Sequence, residues 1–145
     1  MPFLKVYIHF VWTTKKFKPL LIGKSLREKV RIHILENSKE KGIFIKYLAV
    51  QKEHCHCLIS LEKDQTISSI MQMIKGESSF WINKEKLVPK KFAWQREYYG
   101  ISISESHLPR VKAYILNQDI HHRENSFLEE YEDLIIKHGF ERIEE

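Results

Sequence analysis

The chain has 145 residues, enough for one domain, residues 1–145, with its own apolar core. It is 43% hydrophobic and 30% charged, with no linker, repeat or low-complexity run, which excludes a fibrous or disordered chain. A net charge of +5 favours an anionic partner such as nucleic acid, and no apolar run approaches the roughly 18 residues of a membrane span.

In chain order, "FLKVYIHFVW" alternates, with Leu4, Val6, Ile8, Phe10 and Trp12 facing one way and Lys5, Tyr7 and His9 the other. That pattern predicts a strand with one buried face. "SLRE" predicts a capping box, Ser25 as cap and Glu28 three residues on, opening a helix that Gly42 closes. "IFIKYLAVQ" and "HCHCLISL" follow as two strands. A second helix begins near Thr66, with Ile67, Ile70, Met71, Ile74, Ser78 and Trp81 at helical spacing. "KLVPKKFAWQREYYG" reads as irregular and "ISIS" as a short fourth strand. Two more helices end the chain: one holds "LPRVKAYILNQDIHH", and the other is capped by Ser126 with Glu129 and closed by Gly139. The order β-α-β-β-α-β with appended helices predicts an α+β, ferredoxin-like split βαβ fold. Its four-stranded antiparallel sheet carries two helices on one face, and strands one and three lie at the centre.

"KEHCHCLIS" is the stretch that asks for chemistry. Side chains alternate on a strand, so His54 and His56 share one face while Cys55 and Cys57 share the other. Four consecutive ligands on a strand cannot converge on one tetrahedral ion, which argues against a zinc knuckle. The cysteines are too poorly aimed to bridge and read as small core residues, consistent with a reducing cytoplasm. The histidines stand on the helix-free face, which His9 shares. By themselves they read as solvated or hydrogen-bonded imidazoles. The third helix adds Tyr114 and Gln118, four apart and stacked on one face, with His122 one turn beyond. These read either as a packing stripe with a tyrosine in it or as a reactive group and third ligand for the histidine pair.

"HCH" together with "YILNQ", flanked by "HFVWTTK", "IKGESS", "FAWQREYYGISIS" and "HHRENSFLEEYEDLIIKHGF", resembles the HUH-type single-tyrosine transposases. That family includes insertion-sequence, IS200-like enzymes and REP-associated tyrosine transposases. The resemblance implies a divalent metal, Mg²⁺ or Mn²⁺, held by His54, His56 and Gln118, with Tyr114 as nucleophile. It also implies single-stranded DNA with hairpin-containing ends as substrate, a prokaryotic cytoplasm, and a homodimer in which each histidine pair is served by a tyrosine from its own or the partner chain. Cleavage would pass through a 5′-phosphotyrosine. Glu53 stands where an aspartate often precedes the pair, and Cys55 is small for the central position.

Lys75, Lys90, Lys91, Trp94, Arg96 and Arg110 are the candidate DNA contacts, with Tyr98 and Tyr99 as stacking platforms. His9, His121 and His122 are candidates for support. Ile115, Phe127, Leu128, Tyr131, Leu134 and Ile135 supply apolar surface for the helix-free face or for a second copy. Two rivals stand beside the transposase reading. One is a domesticated, non-catalytic DNA hairpin-binding regulator. The other is a metal-dependent phosphodiesterase, for which Glu53, expected on the opposite face, is poorly placed.

Overall fold

The computed structural model describes residues 2–118 and Glu129. The expectations at Ser126, at Gly139, at His121 and His122, and at Phe127, Leu128, Tyr131, Leu134 and Ile135 fall outside these residues. The elements run β1 (Tyr7–Thr14), α1 (Lys24–Glu40), β2 (Phe44–Val50), β3 (His54–Ser60), α2 (Ile67–Lys84), β4 (Trp94–Ile103) and α3 (Leu108–Leu116). They build one antiparallel sheet in the order β2-β3-β1-β4, so the first and third strands occupy the centre as expected.

Strand β1 departs from its forecast. It begins only at Tyr7, leaving Leu4 and Val6 exposed, and all eight of its residues are buried. Both faces are covered because α3 lies on the side that α1 and α2 leave open. Ile8, Phe10 and Trp12 join the main core with Val30, Ile34, Ile70, Met71 and Ile74 from the two long helices. On the reverse face Tyr7 and Leu58 pack with Ile115, flanked by Leu108, Val111 and Tyr114. Lys112 adds its ammonium over the Tyr47 ring at 5.3 Å, tying α3 to β2.

The capping box at Ser25 is not formed. Helix α1 starts two residues earlier, after Gly23, and Glu28 is taken up by Arg31 in a two-pronged ion pair at 2.6 and 2.9 Å. Gly42 does close the helix, at a φ of 73° that favours glycine, while the Ile43 amide donates back to the Ser38 carbonyl. Helix α2 is capped by Thr66, whose hydroxyl accepts from the Ser69 amide.

The largest departure is β4, a ten-residue strand where only "ISIS" was expected. Its first half reads as a loop because charged residues interrupt the apolar alternation. Pairing with β1 determines its conformation instead: Trp94 pairs with Thr14, Tyr98 with Trp12 and Gly100 with Phe10, with an irregularity between Trp12 and Thr14. At Gly100 a Cβ would meet the Phe10 ring at 3.2 Å, so glycine there lets the core ring lie against the strand. The preceding segment is pinned to α2 by Asn83, whose amide exchanges two hydrogen bonds with the Phe92 backbone.

Candidate active site

Four consecutive residues of β3, His54, Cys55, His56 and Cys57, are fully buried, yet they serve two different layers. Cys55 and Cys57 face the helices and belong to the main core. Both are free thiols, and burial pushes their pKa upward, so they remain protonated packing groups. The histidines face α3. This is the placement that strand alternation predicts.

Each histidine is held at Nδ1. His54 Nδ1 lies 2.7 Å from a Glu53 carboxylate oxygen, and His56 Nδ1 lies 3.0 Å from His9 Nε2. Glu53 therefore corrects the expectation that it points away. It precedes the strand, its carbonyl accepts from the Thr14 amide and hydroxyl, and outside the pleat its side chain turns back onto the neighbouring ring. A carboxylate on Nδ1 favours the tautomer with its proton there and leaves the lone pair on Nε2.

Tyr114 meets this pair from α3 of the same chain. Its ring centroid is 5.3 Å from that of His56 and 6.2 Å from that of His9, edge-on to each. Gln118 is buried one turn later, its amide nitrogen donating to the Tyr114 carbonyl at 3.0 Å. A cavity of about 230 Å³ adjoins it, lined among others by Gln118, Ala49, Lys24, Arg27, Arg31 and the Glu28 carboxylate that pairs with Arg31. Ala49 is the β2 partner of His56, so this basic cavity opens beside the site at the sheet edge. The three cations lie at helical spacing on α1, a signal the sequence held but that only the docking of α3 gives meaning. Tyr99 completes the cluster, its ring 6.2 Å from that of His9; burial lifts its phenol to about 12.

The donor set suits a divalent ion. Among the described residues no three His, Cys, Asp or Glu side chains converge, so an ion on the two imidazoles would need an oxygen from another residue type, which Gln118 can give. The His54 and His56 rings are 5.0 Å apart and nearly perpendicular.

The candidate DNA contacts do not form one surface. Lys90, Lys91, Arg96 and Arg110 are exposed. Trp94 is instead a core residue: it packs edge-on against Trp12 and Phe92, and its indole nitrogen donates to the buried Ser78 hydroxyl at 2.9 Å. Lys75 lies on the helix side of the sheet, donating to the Arg96 carbonyl at 2.9 Å and sitting 5.3 Å over the Tyr98 ring. Burial draws its pKa down to about 8. These two residues and Tyr98 line a groove of about 640 Å³ between α2 and β4, with Gln72, Gln95 and Arg96 at its margins. Tyr98 and Tyr99 project to opposite faces, so they are not a joint platform.

Comparison with known proteins places this geometry in context. The sequence model of the family described as "Transposase IS200 like" matches residues 3–118, from the approach to β1 through Gln118. The ISDra2 transposase TnpA of Deinococcus radiodurans is 22% identical over 115 residues, which cover 76% of this chain and 81% of that protein. A crystal structure of a putative transposase from Deinococcus radiodurans superposes with a TM-score of 0.62 at 20% identity, covering 81% of this chain and 93% of that one. A REP-associated tyrosine transposase bound to a REP hairpin superposes with a TM-score of 0.61 at 21% identity, over 84% of this chain and 72% of that one.

Proposed function

Since the chain belongs to the IS200-like transposase family, we propose that it cuts and rejoins single-stranded DNA by transesterification through Tyr114. The observation that carries this reading is the contact of Tyr114 with His56 across the α3–sheet interface, 5.3 Å between ring centroids, in a layer that also holds His54, His9 and Gln118.

The Tyr114 phenolic oxygen attacks the phosphorus of a phosphodiester. The bond from phosphorus to the 3′-oxygen breaks as the bond to tyrosine forms, leaving a 5′-phosphotyrosine and a free 3′-hydroxyl that takes up a proton. The covalent ester conserves the energy of the phosphodiester, so a later 3′-hydroxyl can reverse the exchange without ATP. His54, His56 and Gln118 would hold a Mg²⁺ or Mn²⁺ ion, which when bound withdraws charge from the phosphate oxygens and makes a phenol of ordinary pKa ~10 easier to ionise. Glu53 keeps His54 oriented with its lone pair inward. Tyr99, with its phenol lifted to about 12 by burial, stays protonated.

Both histidines are fully buried, so a phosphate reaches them only when their cover is displaced. Helix α3 is the cover the described residues supply, and its loosening would admit the strand. Hairpin recognition is best assigned to basic and aromatic groups away from the pair. The α2–β4 groove, with Lys75, Arg96 and Tyr98, offers cation and stacking surface on the other side of the sheet. Two DNA ends need two nucleophiles held together, so a homodimer is the expected assembly.

Incubation with a single-stranded hairpin substrate and Mn²⁺ tests the reading. The wild type should form a denaturation-resistant protein–DNA adduct, and Tyr114→Phe should bind the DNA but form none. A wild type that binds the hairpin without any adduct or cleavage would favour the non-catalytic regulator instead.

A further inference from the structure

His56 can serve as a ligand through Nε2 only if its proton sits on Nδ1, and the residue that decides this is on another strand. His9 Nε2 lies 3.0 Å from His56 Nδ1, the two rings 29° from coplanar with centroids 5.2 Å apart. Two neutral imidazoles in such a contact share one proton between the facing nitrogens. Either His56 Nδ1–H donates to His9 Nε2, or His9 Nε2–H donates to His56 Nδ1. The first arrangement leaves the lone pair on His56 Nε2; the second puts a proton there and closes the ligand. His9 is 5% exposed, on central strand β1, with the Tyr99 and Tyr114 rings each 6.2 Å away, so water does not replace it.

We infer that His9 is the positioning residue of His56, fixing it in the Nδ1–H tautomer by accepting the hydrogen bond from that N–H. His54 and His56 are thus set by different partners: a carboxylate adjacent in sequence and an imidazole 47 positions away. The carboxylate fixes the His54 tautomer by charge. The His9 imidazole fixes that of His56 only while an acceptor nitrogen of its ring is turned inward. The inference rests on the metal reading above, and outer partners of metal-bound histidines are generally worth about 10–100-fold in affinity.

Two measurements on the full chain test it. In the metal-free protein, long-range ¹H–¹⁵N correlations should show His56 protonated at Nδ1, a bias lost in His9→Leu. Mn²⁺ titration, followed by the spin resonance of the free ion, should show His9→Leu binding about 10–100-fold more weakly than wild type. His9→Gln, whose amide oxygen can accept the same N–H, should restore much of the loss. Thermal melting of both metal-free variants separates a positioning effect from unfolding. A wild-type His56 protonated at Nε2 overturns the inference. So does a folded His9→Leu that binds Mn²⁺ like wild type while His54→Ala does not, and in that case the metal site itself stands. A wild type with no Mn²⁺ affinity at all removes the metal reading and this inference together.

Discussion

Cys55 and His56 are neighbours on one strand, equally buried, and their surroundings have nothing in common. The cysteine side of β3 faces an apolar layer of isoleucines, Met71 and Trp12, where a thiol is only volume. The histidine side faces a layer in which side chains meet through nitrogen and oxygen: Glu53 on His54, His9 on His56, Tyr114 edge-on to both His9 and His56. Burial alone therefore says nothing of role. What separates the two faces is whether a buried polar atom is met by a partner that orients it.

Substitution on the two faces should give opposite losses. His54→Ala and His56→Ala should abolish metal-dependent cleavage outright while the chain still folds, checked by strand-cleavage assay beside circular dichroism. If either variant cleaves at the wild-type rate, the polar face is structural and the comparison collapses.

That two-faced reading of β3 was already legible in the sequence, because a period of two is enforced wherever both sides of a sheet are covered. So were the strand order, the closing Gly42 and the start of the second long helix near Thr66. The expectations that failed depend on distant partners. Glu53 was read by alternation but lies one residue before the ladder begins, where alternation no longer applies. The start of β4 was read as loop because its residues are charged, yet a central neighbour, β1, holds it in register. Trp94 was read among the DNA contacts, and nothing local reveals that it packs in the core with its indole nitrogen donating to Ser78, sixteen residues back. The link between His9 and His56 crosses two strands, and its register cannot be fixed from one sequence.

Mixing protomers sharpens the comparison by asking which chain completes the polar layer. Tyr114 meets His56 of its own chain here, so dimers assembled from His56→Ala and Tyr114→Phe subunits should remain inactive in the cleavage assay. Recovery of about half the activity of wild type, beyond either parent, would mean that the tyrosine works across the dimer.

On the cysteine face the effect is one of stability. Cys55→Ser or Cys57→Ser puts a hydroxyl into the apolar layer and should cost about 1–3 kcal/mol by urea unfolding, with cleavage unchanged under native conditions. A serine variant that folds normally but loses cleavage would mean that the helix face also serves the reaction.

The smallest effect belongs to the far groove. Lys75, drawn down to about 8 by burial, is a cation below that pH and neutral above it. If its ammonium holds DNA, hairpin affinity should fall a few-fold between pH 7 and pH 9 as the charge is lost, about the worth of one phosphate contact. Lys75→Arg, which stays charged throughout, should flatten that part of the curve. An unchanged curve in the arginine variant would remove Lys75 from the DNA contacts.

The central claim is that the polar face of β3 and Tyr114 form one strand-transfer site, and the attachment point of the DNA reads it directly. Wild-type protein incubated with single-stranded hairpin substrate and Mn²⁺, digested with trypsin and nuclease, should yield one nucleotide-bearing peptide. Fragmentation should place the 5′-phosphate on Tyr114. Attachment at Tyr98, Tyr99 or Tyr131, or cleaved DNA with no modified peptide, would contradict the account.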